Sequence, residues 1–233
     1  TVRFNTDVKS LCISKGSVHG MVTADGEAIA AHSVVNCMGP WFDRLSRTAS
    51  VGASTLMLPT RIQVGHKSLP DDEDLLSLPF VADSDIYFMP RRKNKQLVFG
   101  SVAHRFESEI VVCPDELNTA LDPDVKADYL GCLAHRLPTL PMSGSIQGFS
   151  HMYTVNQDDV HPVIGPSAEF DNYYLCNGFS GHGFKLAPAV GSLMTRQIMG
   201  SVNDDRGYQT SIPSRFMDPN RQPLTLQVKT HFA

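Results

Sequence analysis

The chain has 233 residues, enough for one large domain or two small ones with a sizeable core. Twenty Lys and Arg against 24 Asp and Glu leave a net charge of −4 with no basic stripe, which argues against a nucleic-acid partner. No apolar run approaches the roughly 18 residues of a membrane-spanning helix.

Residues 1–38 read as β-rich. Short alternations run through Val2–Phe4 and Val8–Ile13. Lys15-Gly16 marks a turn, Val18–Thr23 is the next strand, and Asp25-Gly26 predicts a tight hairpin into Ala28–Ala31, because Asp and Gly tolerate positive φ. Val34–Met38 is an almost unbroken apolar run ending at Gly39, the pattern of a strand covered on both faces. From about Val51 to Phe149 the character changes. Arg61–Val64, Phe80-Val81, Ile86–Met89 and Leu97–Phe99 read as strands of an antiparallel sheet. Arg91–Lys95 reads as a hairpin tip and Asp71–Asp74 as a solvated acidic loop. Asp122-Pro123 opens a helix, with Asp122 expected to cap free amides. Val125, Tyr129, Leu133 and Leu137 recur every fourth residue, and Pro138 ends it. A third style follows Gly148. Tyr173–Asn177 is another buried-type strand, running into a glycine-rich turn and a helix that carries Leu186, Val190, Leu193, Met194 and Ile198 and stops at Gly200. The tail beyond Ser201, with Pro213, Pro219 and Pro223, is expected to be extended.

This order predicts a mixed α/β chain. Both ends build a nucleotide-type layer, and a separate antiparallel sheet interrupts it. The expected boundaries are 1–55 and 150–200 for the two parts of that layer, 56–149 for the inserted sheet and 201–233 for the tail. The first residue is Thr1, so the chain is read as a fragment or a processed piece. Five scattered cysteines, Cys12, Cys37, Cys113, Cys132 and Cys176, do not form a disulfide framework and fit an intracellular, cytoplasmic or organellar compartment.

The most informative segment is Gly178-Phe179-Ser180-Gly181-His182-Gly183-Phe184-Lys185. A strand that ends in glycines and opens a helix brings bare amides to a ligand. A helix N-terminus carries about half a positive charge and favours an anion or an electron-rich ring edge. Lys185 adds a full charge there. The plain alternative is a tight turn that needs only small residues. Ser180 as a hydrolase nucleophile is a weaker reading, because His182 stands where the elbow motif requires its second glycine. His151, His161, Cys176 and His182 lack zinc-ligand spacing, so no metal is expected. The seventeen glycines contain no G-x-G-x-x-G, so a dinucleotide site would need that turn from elsewhere.

Gly178–Pro188 resembles the C-terminal flavin-binding signature of the D-amino-acid-oxidase-like FAD-dependent oxidoreductases, in the branch of monomeric sarcosine oxidase, glycine oxidase and dimethylglycine dehydrogenase. Val34–Trp41 resembles the "VVNAAGAW" strand and turn of that family. His151–Thr154 with Asp159–Gly165 resembles its "MYT…D…PxIG" segment. The three stretches come in the family's order and spacing. The resemblance implies a Rossmann-like FAD domain lacking its N-terminal βαβ unit, with an inserted antiparallel substrate domain. It implies that Val8 sits beside the adenine and that Gly39 and Trp41 approach the cofactor. Gly178, Phe179 and Ser180 would shape the turn, and Gly181, His182, Gly183 and Phe184 would set amides at the flavin's pyrimidine edge. Lys185 would hold a substrate carboxylate, with Tyr87 and Tyr153 as further candidates near the flavin face. The implied reaction is oxidation of the C–N bond of an amino acid or N-methylated amino acid, with oxygen or another acceptor taking the electrons. His151 stands where the covalent branch has its flavin-linked Cys, so non-covalent FAD is expected. The alternative is a non-catalytic paralogue, or a subunit that needs a partner chain to bind FAD.

Overall fold

A computed structural model describes residues 1–49, 57–102, 109–200 and 216–225. The chain divides into two compact units, Thr1–Pro59 with Tyr153–Ala233, and Thr60–Met152.

In the first unit, β1 (Val8–Ser14), β2 (Ser17–Thr23) and β3 (Ala28–Ala30) form an antiparallel meander. Its turns are where Gly16 and Gly26 take positive φ, +80° and +91°. A second sheet has the order β10 (Val163–Pro166), β11 (Tyr173–Asn177), β4 (Val34–Asn36). β11 is parallel to β4 and antiparallel to β10. Among the described residues β4 is therefore an edge strand. After β4 a single 3-10 turn, Gly39–Trp41, leads into α1 (Phe42–Ala49), which the sequence pattern had not indicated. α4 (Gly183–Met199) follows β11, and Gly200 at φ +65° ends it. One small core joins Leu11, Val18, Val34, Leu45 and Tyr173, with Val8 against it. Another joins Ile164, Val190 and Met194.

The second unit is an antiparallel sheet covered by one helix. Its strand order is β6 (Val81–Ala82), β7 (Ile86–Arg91), β8 (Gln96–Ser101), β5 (Met57–Ser68), β9 (Gln147–Asn156). β5 is much longer than the Arg61–Val64 run expected, because Arg61, Gln63 and Lys67 are buried within it and hide its apolar period. α3 (Pro123–Arg136) lays Val125, Tyr129 and Leu133 onto Ile86, Phe88, Leu97 and Phe99. The Tyr129 ring meets Phe99 edge-on at 5.6 Å, and its hydroxyl donates to the Gln63 carbonyl at 2.8 Å. Asp122 does not cap α3 as expected; its carboxylate accepts from Arg61 and Gln63 instead. Asp71–Asp74 is not a plain loop either. Asp72 accepts from the amides of Asp74 and Leu75 and starts a short α2 (Glu73–Leu76), which tucks Leu75 and Leu76 inward.

The tail reading applies mostly to residues outside the described set. The described piece, 216–225, is tied down rather than loose. Asp159, 1% exposed, accepts from the Arg221 guanidinium at 2.8 Å and from the Leu224 amide at 3.0 Å.

Candidate functional site

The first unit brings three separated stretches to one place. β4 ends at Asn36, whose side chain accepts from the Met38 amide at 3.0 Å and donates to the Tyr173 hydroxyl at 2.8 Å. This locks the turn into Gly39, which takes φ +52°. The Gly39 carbonyl accepts from Asn177 Nδ2 at 3.0 Å, linking the Gly39 turn to the end of β11. A side chain added at Gly39 would touch Thr154 Oγ1 at 3.6 Å. So β9 with its Met-Tyr-Thr stretch lies beside the same turn.

The Gly178–Gly183 turn is built from unusual backbone angles. Gly178 and Gly181 have φ +73° and +92°, and Ser180 takes +49°. A side chain at Gly178 would overlap Met57 and crowd Asn156, so this glycine is also a packing requirement. Phe179 bridges antiparallel to Val155, and the Ser180 amide donates to the Thr154 carbonyl at 3.0 Å. Ser180 is only 1% exposed. Its Oγ donates to the Gly178 carbonyl at 3.2 Å and accepts from the Asn156 amide at 3.3 Å. These contacts make it a clamp within the turn and count against a nucleophile. His182 Nδ1 lies 3.3 Å from the Phe179 carbonyl oxygen, not against Ser180.

α4 opens with its head exposed. The bond from the Leu186 amide to the His182 carbonyl is its first, so the amides of Gly183, Phe184 and Lys185 have no acceptor within the helix. Phe184 is 99% exposed, and Lys185 beside it is exposed. Bare amides, a cation and an uncovered aromatic ring in one helical turn suit the edge of a large, electron-rich ring system. The donor set therefore fits a flavin's pyrimidine edge.

The remaining candidates are more dispersed. Trp41 lies in the 3-10 turn after Gly39, and Tyr153 is half-buried on β9 two residues before Val155. Val8 belongs to the β1–β2 meander, in the same cluster as Val34 and Met38. Tyr87 is in the second unit, on β7. It pairs with Gly100 of β8 and stacks on Phe80 at 6.0 Å. A side chain at Gly100 would overlap the outer edge of the Tyr87 ring. His151 is exposed on β9.

Two polar centres escaped the sequence reading. Arg61, 4% exposed, donates to Asp122, Glu109, Ser150 and the carbonyls of Asn118 and Ala120. Asp159 gathers Asn156, His161, Arg221 and Leu224. A buried charge beside a distant opposite charge was the available signal, but the pairing depends on the fold. No helix among the described residues is long and apolar enough to cross a membrane.

Residues 1–197 match the family described as DAO: FAD dependent oxidoreductase. FAD-dependent oxidoreductase domain-containing protein 1 of Bos taurus is 30% identical over 177 residues, covering 71% of this chain and 35% of that protein. Peroxisomal sarcosine oxidase of Mus musculus is 27% identical over 172 residues, covering 70% of this chain and 43% of that protein. Among solved structures, L-proline dehydrogenase from P. horikoshii superposes with a TM-score of 0.74 at 22% identity, over 92% of this chain and 53% of that one. The chain thus spans well under half the length of these curated relatives. Its three family stretches meet at one set of turns, and the family match covers most of its length. The chain belongs to the DAO family of FAD-dependent oxidoreductases.

Proposed function

We propose that this chain is part of an enzyme that oxidises the C–N bond of an amino acid or N-methylated amino acid, using non-covalent FAD. The observation that carries this reading is the open head of α4, where the amides of Gly183 and Phe184 stand beside Lys185. When bound, FAD supplies a hydride acceptor.

The residues of the chain would do the rest. Gly181, His182, Gly183 and Phe184 offer amides and the positive end of a helix dipole to the electron-rich ring edge. Gly39 and Trp41, held to β11 through Asn177, would shape the neighbouring wall, with Gly178, Phe179 and Ser180 fixing the turn and Val8 serving the adenine end. The ammonium of Lys185 would hold the substrate carboxylate. Tyr153 and Tyr87 carry hydroxyls suited to orienting the amine, which must be deprotonated before its carbon can give up hydride. Oxygen or another acceptor would take the electrons, and the imine would hydrolyse. His151 in place of a Cys supports a dissociable cofactor, and five free thiols support an intracellular compartment.

The position of β4 at a sheet edge favours a second reading, in which this chain binds FAD only with strands supplied against that edge. Anaerobic titration separates the two. Yellow protein that bleaches with sarcosine, glycine or proline-type substrates is the expected result. Yellow protein that no carboxylated amine bleaches overturns the substrate class. Colourless protein that takes up no FAD supports the second reading.

A further inference from the structure

Two thiols that the proposed reaction does not use stand at the ends of the parallel strands. β11 and β4 pair Tyr173 with Val34, Tyr174 with Val35 and Leu175 with Asn36. One residue further along each is a cysteine, Cys176 and Cys37. Neighbouring strands lie about 4.8 Å apart. That separation falls inside the roughly 4.4–6.8 Å between Cα atoms that a disulfide spans. Residues at equal register project to the same face, and the two thiols hydrogen-bond each other. Both are free; Cys37 is exposed and Cys176 half-buried. We propose that Cys37 and Cys176 form a peroxide-reactive dithiol that closes to a cross-strand disulfide.

The hydrogen bond from Cys176 brings the Cys37 thiol down to about 7, against the opposing effect of burial, while Cys176 is pushed up and keeps the shared proton. Cys37 is therefore substantially thiolate at neutral pH and is the attacking group. Its sulfur attacks one oxygen of hydrogen peroxide. The O–O bond breaks, hydroxide leaves and is protonated to water, and Cys37 becomes a sulfenic acid. Cys176 then loses its proton and attacks that sulfur. The S–O bond breaks and a second water leaves. Two thiols and one peroxide become one disulfide and two waters. Each cysteine lies just before a turn glycine, Gly39 or Gly178, so the bridge would tie the strand ends beneath both turns. That consequence rests on those turns holding the cofactor; the thiol chemistry does not.

The test treats the full-length protein with stoichiometric hydrogen peroxide, followed by alkylation and non-reducing peptide mass spectrometry. The expected product is one cross-linked peptide joining Cys37 to Cys176, lighter by two hydrogens, with Cys12, Cys113 and Cys132 still alkylated. In Cys176→Ser, a cyclic 1,3-dione should trap sulfenic acid at Cys37. Without peroxide, Cys37 should alkylate fastest of the five, its rate rising with pH through about 7. A Cys37 that alkylates no faster than Cys12, or a peroxide product that bridges other cysteines, overturns the proposal. Flavin content is read on the same samples. Altered retention on bridging supports the link to the cofactor turns, and unchanged retention removes that link alone.

Discussion

Lys185 and Ser180 lie five residues apart and have opposite surroundings. Lys185 is exposed at the head of α4, whereas Ser180 is sealed inside the turn before it. In the proposed reaction, Lys185→Met removes a charged hydrogen bond to the substrate carboxylate. Such bonds contribute about 1.5–3 kcal/mol, so KM for carboxylated amines should rise by roughly 10- to 100-fold with flavin still bound. Steady-state kinetics with a carboxylated and an uncharged amine check this, and an equal loss on both would remove Lys185 from the role. Ser180→Ala deletes the acceptor of the Asn156 amide and keeps a side chain at φ +49°. It should lower stability by about 1–3 kcal/mol with little change in turnover per folded molecule, measured by thermal melting beside activity. The glycine turn and its lysine were legible from residue types alone. The clamp made by Ser180 was not, because its partners, Asn156 and Thr154, come from a strand more than twenty residues away.

At the scale of elements, the helices were legible where apolar spacing was clean. The four-residue recurrence from Val125 to Leu137 matches α3, and Gly200 stops α4 as its type suggests. β5 was only partly legible, because its buried polar residues answer to partners outside the strand. Arg61 shows why. The cost of burying its guanidinium is offset because Asp122 and four other acceptor groups surround it within its own unit. Asp122 keeps more than a third of its side chain exposed, so water partly compensates its charge when Arg61 is lost. Arg61→Met should therefore cost about 1–3 kcal/mol, chiefly from Ser150 and the carbonyls of Asn118 and Ala120 left without their donor. The Asp122 carboxyl is held below its ordinary range, first by the hydrogen bond from Arg61 and further by Gln63, against desolvation. Its folded pKa is thus lower than its unfolded one. The stability it contributes is present above the unfolded value and is lost as pH falls below about 4. Asp122→Asn should flatten the acid limb of a melting-temperature profile, and an unchanged acid limb would show that the pair does not govern it.

For the whole molecule, the change in sequence style near Val51 and again after Gly148 reflects two cores of different kinds. The second unit closes on thirteen buried apolar residues from Leu69 to Ile146. The first distributes smaller clusters around a three-stranded sheet with β4 at its margin. Hydrogen exchange should therefore protect the amides of Leu97 and Phe99 longest and those of β4 far less. Comparable protection of β4 would mean that its open edge is covered. The family was legible because its motifs are local in sequence. The division into units was legible only as a change of pattern, since the boundary residues Pro59 and Tyr153 lie inside continuous strands.

Gly100 leaves bare backbone beneath the ring of Tyr87, as Gly65 does beneath Phe99. Neither glycine carries a group that any ligand would recognise. A single methyl at position 100 would nevertheless lift the phenol off its neighbouring strand and swing its oxygen to a new place. Under the role proposed above for Tyr87, selectivity would thus drift by mutation at a chemically silent position, with every recognisable motif left intact.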